Sequence, residues 1–240
     1  MLLIDEFSYL YGEIIAGRVQ ETFMKFWKAL LERGYFGAVL VGQDSMPKFI
    51  ESFPNEFQVA ESQRVSYLAD KDAHLLIEKP ILIPETGESR YRGEAVKRLI
   101  ELTAGSPYYI QIFCNRLVMY MNQRKAIYVT DVNIDQVKNE LISGHNSLKT
   151  TEFDNLTSSS DSLSDEIYKS DTEAVLRSIA NGTRIQDYCD RSAINASTSV
   201  DIDIILDDLE RREVIEKKPG ASTSLFRIRV GLFKEWLLAH

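Results

Sequence analysis

Two adjacent carboxylates, Asp5 and Glu6, follow the apolar run Leu2-Leu3-Ile4 near the start of the chain. An apolar strand that ends in neighbouring acids can deliver the first carboxylate to the water shell of a magnesium ion and the second to an attacking water. Strands ending in Asp-Glu are common, so the pair alone selects no reaction. The other chemically capable residues add little. His74, His145 and His240 have no acid or cysteine at ligand spacing, and Cys114 and Cys189 lack the paired spacing of a zinc site. No metal site of the chain's own is expected, and the thiols read as reduced and structural. Gly12 and Gly17 have the spacing of a phosphate-binding loop, but Arg18 and Val19 stand where lysine and Ser/Thr are required, and the segment follows the acidic strand. It reads as a surface loop.

The elements that must position Asp5 and Glu6 alternate in type. After the opening apolar run, residues 20–32 place Phe23, Phe26, Trp27, Leu30 and Leu31 at helical spacing, and Gly34 stops the helix. Residues 36–41 form an almost uniformly apolar run, as in a strand of a parallel sheet covered on both faces. A turn at residues 42–45, a short helix over residues 47–53, a third strand over residues 63–68 and a helix from Asp70 to about Ile77 complete an α/β pattern. Strand signals then stop. Residues 93–103, 107–122 and 131–142 read as three helices, the second begun by Pro107 and the third capped by Thr130 or Asp131. Residues 143–164 are rich in Ser, Thr, Asn and Asp and read as a linker, in which Phe153 and Leu156 can anchor one helical turn. Helices over residues 172–180, 185–189 and 199–212 precede two short runs, residues 214–218 and 224–228, flanking Pro219-Gly220-Ala221. Three helices followed by a hairpin make a winged helix-turn-helix pattern.

Composition bounds the function. The chain has 240 residues, 44% hydrophobic and 27% charged, and a net charge of -8. This excludes fibrous and wholly disordered classes, and no apolar run approaches a membrane span, so a cytoplasmic protein is expected. The acidic balance argues against a surface that embraces nucleic acid as a whole. Locally, the third helix of the hairpin module carries Asp201, Asp203, Asp207, Asp208 and Glu210, which phosphates would repel, whereas Lys217, Lys218, Arg227 and Arg229 make the hairpin more basic.

Several motifs in order carry a resemblance over nearly the whole chain. Leu2-Leu3-Ile4-Asp5-Glu6 resembles a Walker B strand, and Val39-Leu40-Val41-Gly42-Gln43 resembles a sensor-1 strand. The segment of residues 60–80 is similar to the one that precedes the lid, Gly105-Ser106-Pro107 resembles the lid's Gly-x-Pro motif, and residues 225–237 resemble the close of a winged helix. Together these are similar to the STAND and archaeal-type ATPases, a branch of AAA-like P-loop NTPases. The resemblance implies ATP and Mg as cofactors of a full-length protein, Asp5 as the metal-side acid, Glu6 as the residue orienting water and Gln43 near the γ-phosphate. Gly105 and Pro107 would lie near the nucleotide, although helix punctuation also explains both. The strand and Gly-rich Lys-Ser/Thr loop that open such enzymes have no counterpart before Met1, so tight ATP binding by this chain is not expected.

The expected fold class is therefore α/β: a partial P-loop NTPase core over residues 1–80, a helical lid over residues 81–143, a linker over residues 144–164 and a winged helix-turn-helix over residues 165–240. The expected function is the C-terminal portion of an ATP-dependent switch, inactive without its P-loop. A non-enzymatic winged-helix adaptor or DNA-binding regulator is the alternative. In this family's sheet the P-loop strand lies between the strands expected at residues 36–41 and 63–68. The fragment can pair those two strands directly, borrow a strand from a second chain or leave the lobe poorly ordered. A protein partner or self-association is favoured, with DNA binding weak and membrane binding absent.

Overall fold

The structure is a computed structural model that describes all residues except 44, 159–166 and 222. The densest part of the serine-rich linker and the start of the expected C-terminal module lie outside the described residues. The chain is mixed α/β and mostly helical, and it divides into two compact units. The first contains Met1–Arg64 and the second Val65–Thr157 with Ile167–His240.

In the first unit, β1 (Leu2–Ile4) and β2 (Ala38–Leu40) pair in parallel, with Leu2 opposite Ala38, Leu3 opposite Val39 and Ile4 opposite Leu40. Helices α1 (Tyr9–Ile15), α2 (Thr22–Glu32), α3 (Met46–Ser52) and α4 (Pro54–Phe57) complete the unit. Gly12 thus lies inside a helix; the surface loop expected there is confined to the turn at Gly17, whose φ is +70°. The sequence Thr22-Phe-Met-Lys-Phe-Trp puts Met24 and Trp27 one turn apart, and both are buried against Phe7, Phe49 and Phe57. Ile4, Ala38 and Leu40 pack on this cluster. Strand alternation sends Leu3, Val39 and Val41 to the opposite face, where Leu3 is 71% and Val41 52% exposed. The expectation of a strand covered on both faces is therefore met on one face only.

The third strand expected at residues 63–68 does not form. The sheet of the first unit has no third strand among the described residues, so the ladder that would organise this segment is missing, and Leu68 N–H donates instead to the Gly105 carbonyl. The two flanking segments do not close a gap by direct pairing.

The second unit begins with α5 (Asp70–Glu78), which follows Ala69 as N-cap and carries Asp70 and Asp72 in its first turn. Helices α6 (Ala95–Thr103), α7 (Pro107–Arg124) and α8 (Asp131–Ser143) follow. Thr130 precedes α8, and its N–H donates to the Asn133 side chain at 2.9 Å. Within the stretch read as a linker, a 3₁₀ turn (Thr150–Phe153) runs into α9 (Asp154–Thr157), and Phe153 is fully buried. Next come α10 (Lys169–Gly182), β3 (Cys189–Asp190), α11 (Ile202–Arg211), β4 (Ile215–Pro219), β5 (Ser224–Ile228) and α12 (Gly231–Ala239). The expected hairpin is present, and β5 lies between β4 and β3 in an antiparallel sheet.

Residues 185–189 are not the short helix expected. Ile185 is fully exposed, whereas Cys189 is buried and belongs to the sheet, packed so closely on Gly182 that a Cβ there would lie 2.3 Å from the thiol sulfur. Ile185 therefore has no apolar partner that would hold a helical turn. One hydrophobic core runs through the unit, from Leu99 of α6, Phe113 of α7 and Ile134 of α8 to Val175, Ile205, Phe226 and Phe233. The aromatic rings of Tyr109, Phe153, Phe233 and Trp236 join its two ends.

Candidate functional site

The parallel pairing determines where the acids emerge. The ladder continues past the strands, with Val41 N–H donating to the Ile4 carbonyl at 2.8 Å and Phe7 N–H to the Val41 carbonyl at 2.8 Å. Asp5, Glu6 and Gln43 therefore leave the same end of the two-stranded sheet. Glu6 has φ +53°, in the left-handed region that a side-chain-bearing residue occupies at a cost of about 1–3 kcal/mol. Its N–H donates to the Asp5 carboxylate at 2.9 Å, which helps hold this turn. The Gln43 amide nitrogen donates to both Glu6 carboxylate oxygens at 2.9 Å. Gln43 is itself oriented from below, because its backbone N–H donates to the hydroxyl of buried Ser8 at 3.2 Å. At Gly42 a Cβ would lie 2.2 Å from Cγ of Met46 and 3.1 Å from Cβ of Ser8, so only glycine admits this approach. Ser8 was not singled out by sequence, since a serine two residues after an acid carries no distinctive spacing.

Chemically, this cluster offers two carboxylates and an amide. Asp5 supplies one acidic oxygen donor set and Glu6 a second, fixed by Gln43. No group of three or more His, Cys, Asp or Glu side chains able to hold a metal occurs among the described residues. The donor set suits an ion held chiefly by water and phosphate oxygens, not a cage built from protein ligands.

Gly105 and Pro107 belong to the second unit. Ala104 and Gly105 adopt φ +54° and +74° in succession, which ends α6, and Ser106 then precedes Pro107 at the first turn of α7. A Cβ on Gly105 would lie 2.7 Å from the Leu68 carbonyl oxygen, and the Gly105 carbonyl accepts the Leu68 N–H at 3.0 Å. Chain packing alone thus requires glycine here. Pro107 lines an open groove of about 730 Å³ with Leu68, Leu75, Leu76, Lys79 and Gln111. The groove is largely apolar, with the Asp72 carboxylate, the Lys79 ammonium and the Gln111 amide also in its lining, and none of the three was distinguished as a site residue by sequence.

The acidic α11 is largely neutralised by its own surroundings. Arg191 pairs with Asp203 at 2.6 Å, Arg211 and Arg212 with Asp208 at 2.5 and 3.1 Å, and Lys217 with Glu210 at 3.2 Å. On the hairpin, Arg227 pairs with Glu216 at 2.6 Å, and the Lys218 ammonium sits 3.6 Å from the Tyr188 ring centroid. Of the basic side chains expected there, Lys217 and Arg227 are thus committed to acids. Cys114 is half-buried and its thiol is pushed up to about 11 by desolvation, which fits an inert structural cysteine.

The fold of this chain is similar to that of a solved structure. The ORC2 protein of Aeropyrum pernix, solved in ADPNP-ADP complexes, superposes on 99% of this chain with a TM-score of 0.56 at 15% identity. The chain spans 63% of that protein's length. No family model matches the chain, and no curated protein matches it. No helix among the described residues is long and apolar enough to cross a membrane.

Proposed function

We propose that this chain is the C-terminal portion of an ATP-dependent switch of the AAA/STAND type, with α6 to α8 as its lid and α10 to α12 as a winged-helix module for protein contacts. The observation that supports this most is the convergence of Asp5, Glu6 and Gln43 at one end of a parallel strand pair, within a fold similar to that of a nucleotide-bound ATPase. In this reading Asp5 faces the cation. Glu6 accepts a hydrogen bond from the attacking water, and Gln43 fixes the direction in which Glu6 presents its oxygens. Bound ATP with magnesium would supply the phosphoanhydride bond and the cation that neutralises its charge.

The residues fit the metal and water sides of such a site but not its phosphate cradle. The 240 residues contain no glycine-rich loop ending in Lys-Ser/Thr. Phosphate would be held by groups from outside them, and hydrolysis by this chain alone does not follow.

The test has two arms. The purified 240-residue chain with ATP and Mg²⁺ is expected to release no phosphate above background; turnover abolished by Glu6→Gln would show that the chain rebuilds a cradle of its own. In the longest product of the reading frame that contains this chain, ATP hydrolysis is expected. There Glu6→Gln lowers the rate about 100-fold or more, the usual contribution of a positioned acid-base group. A longer product that binds no ATP, or that hydrolyses it equally well with Glu6→Gln, would refute the ATPase reading and favour an adaptor.

A further inference from the structure

Ser66, Tyr67 and Leu68 bridge two parts of the second unit that are remote in sequence. At one end, Leu68 N–H donates to the Gly105 carbonyl at 3.0 Å, and the Leu68 side chain lines the same groove as Pro107. At the other end, the Tyr67 hydroxyl donates to the Glu213 carbonyl at 3.2 Å, the Ser66 hydroxyl donates to the Glu213 carboxylate, and the Arg229 guanidinium lies 5.3 Å from the Tyr67 ring centroid. Glu213 occupies the turn between α11 and β4 with φ +60°, and Arg229 N–H donates to the Val214 carbonyl at 3.0 Å, extending the β4–β5 ladder by one step. The three residues form no strand, and Val65 before them is 93% exposed.

We infer that Ser66, Tyr67 and Leu68 act as a strap that couples the α6–α7 turn and its groove to the base of the β4–β5 hairpin. The physical basis is the shortness of the link: Leu68, held by Gly105, is the covalent neighbour of Tyr67, held by Glu213, and the chain bends at Tyr67. A shift of Leu68 comparable to the roughly 3.3–3.6 Å that one residue can span must therefore move or reorient Tyr67 and Ser66. A molecule seated in the groove touches Leu68 directly and changes the hold on Glu213. Conversely, a partner that grips the hairpin and moves Glu213 alters the shape of the groove, since coupling between two binding events is reciprocal. The strap stands on contacts within the second unit and does not depend on what fills the groove.

Hydrogen exchange of individual amides in the full chain tests this from both ends. The double variant Tyr67→Phe/Glu213→Gly removes two side-chain hydrogen bonds at the hairpin end, and glycine keeps the left-handed backbone at position 213 unstrained. Loss of two bonds is expected to accelerate exchange of the Leu68 amide about fivefold or more, while Leu99 and Ile134 in the lid core keep their rates. From the other end, Gly105→Ala places a Cβ against the Leu68 carbonyl and is expected to accelerate exchange of the Arg229 amide. An unchanged Leu68 rate in the double variant would overturn the inference. So would a Gly105→Ala protein in which Leu68 exchanges faster and Arg229 does not. If Gly105→Ala fails to fold, the double variant decides the question by itself.

Discussion

Replacing Phe153 by alanine is the sharpest test of how the second unit is built. The ring is fully buried, with centroids of Phe233, Trp236 and Tyr109 at 4.9, 5.3 and 5.7 Å. Two of these neighbours lie on α12 and one on α7, so the cavity would open between elements that cannot collapse on it together. Burial of this completeness puts Phe153→Ala in the range of 3–5 kcal/mol, and the ring contacts on three sides argue for about 4. For a unit of roughly 170 residues that corresponds to a fall in melting temperature of about 8–16 °C. Urea titration followed by Trp236 emission, in a Trp27→Phe background so that the first unit is silent, measures the free energy directly. A loss below about 1 kcal/mol would refute the reasoning, because it would mean that the serine-rich segment touches the core without contributing to it.

Removing the acceptor at the start of α8 with Asn133→Ala is expected to destabilise the protein by about 1 kcal/mol, read as a shift of the urea midpoint at constant slope. Asp171, Asp190 and Asp203 are held below the usual carboxylate value of 3.8 by hydrogen bonds from Ser199, from Ser192 and Thr223, and from Arg191, respectively. A depressed folded-state value stabilises fully above the unfolded value and is lost as pH falls through the folded one. Urea stability is therefore expected to drop as pH falls below about 4 and to drop less steeply with Ser199→Ala; stability that rises on acidification from pH 5 to 3 would contradict this. With Lys217 and Arg227 paired to acids, duplex DNA is expected to bind weakly, without sequence preference, and to be released by salt. Titration of labelled duplexes at two ionic strengths checks it, and tight selective binding lost in Lys218→Glu would contradict it.

The elements that sequence periodicity located well were those whose partners lie close by or whose pattern is strong. Leu99 and Leu102 of α6 and Ile205 and Leu209 of α11 are buried as their spacing requires, and the β4–β5 hairpin follows from its turn residues. Spacing could not reveal partners supplied by tertiary structure. Residues 63–68 are apolar enough for a strand, yet a strand needs a neighbouring ladder, and Leu68 instead finds Gly105. Ile185 to Cys189 has a helix-compatible composition, but Cys189 is drawn into the sheet opposite Phe226. In the candidate site, the acids Asp5 and Glu6 were visible as a pair. The donation from Gln43 to Glu6 and the support from Ser8 were not, because they depend on the register of β1 against β2.

The closing helix α12 carries a consequence for how the protein is made. Gly231 at its start packs so tightly on α6 that a Cβ would lie 2.8 Å from the Glu101 carbonyl oxygen, and the Trp236 indole N–H donates to the Leu148 carbonyl at 3.0 Å. Helices α6 to α8 thus enclose a core whose last wall is synthesised some 90 residues after α8, a delay of about 5–20 s at ordinary rates of translation. During that interval the apolar flank of α6 and the rings of Tyr109 and Phe153 lack their final cover. That apolar surface is exposed for longest on the nascent chain, and a premature stop ahead of Gly231 is expected to leave helices α6 to α8, some 90 residues upstream, as the part that aggregates.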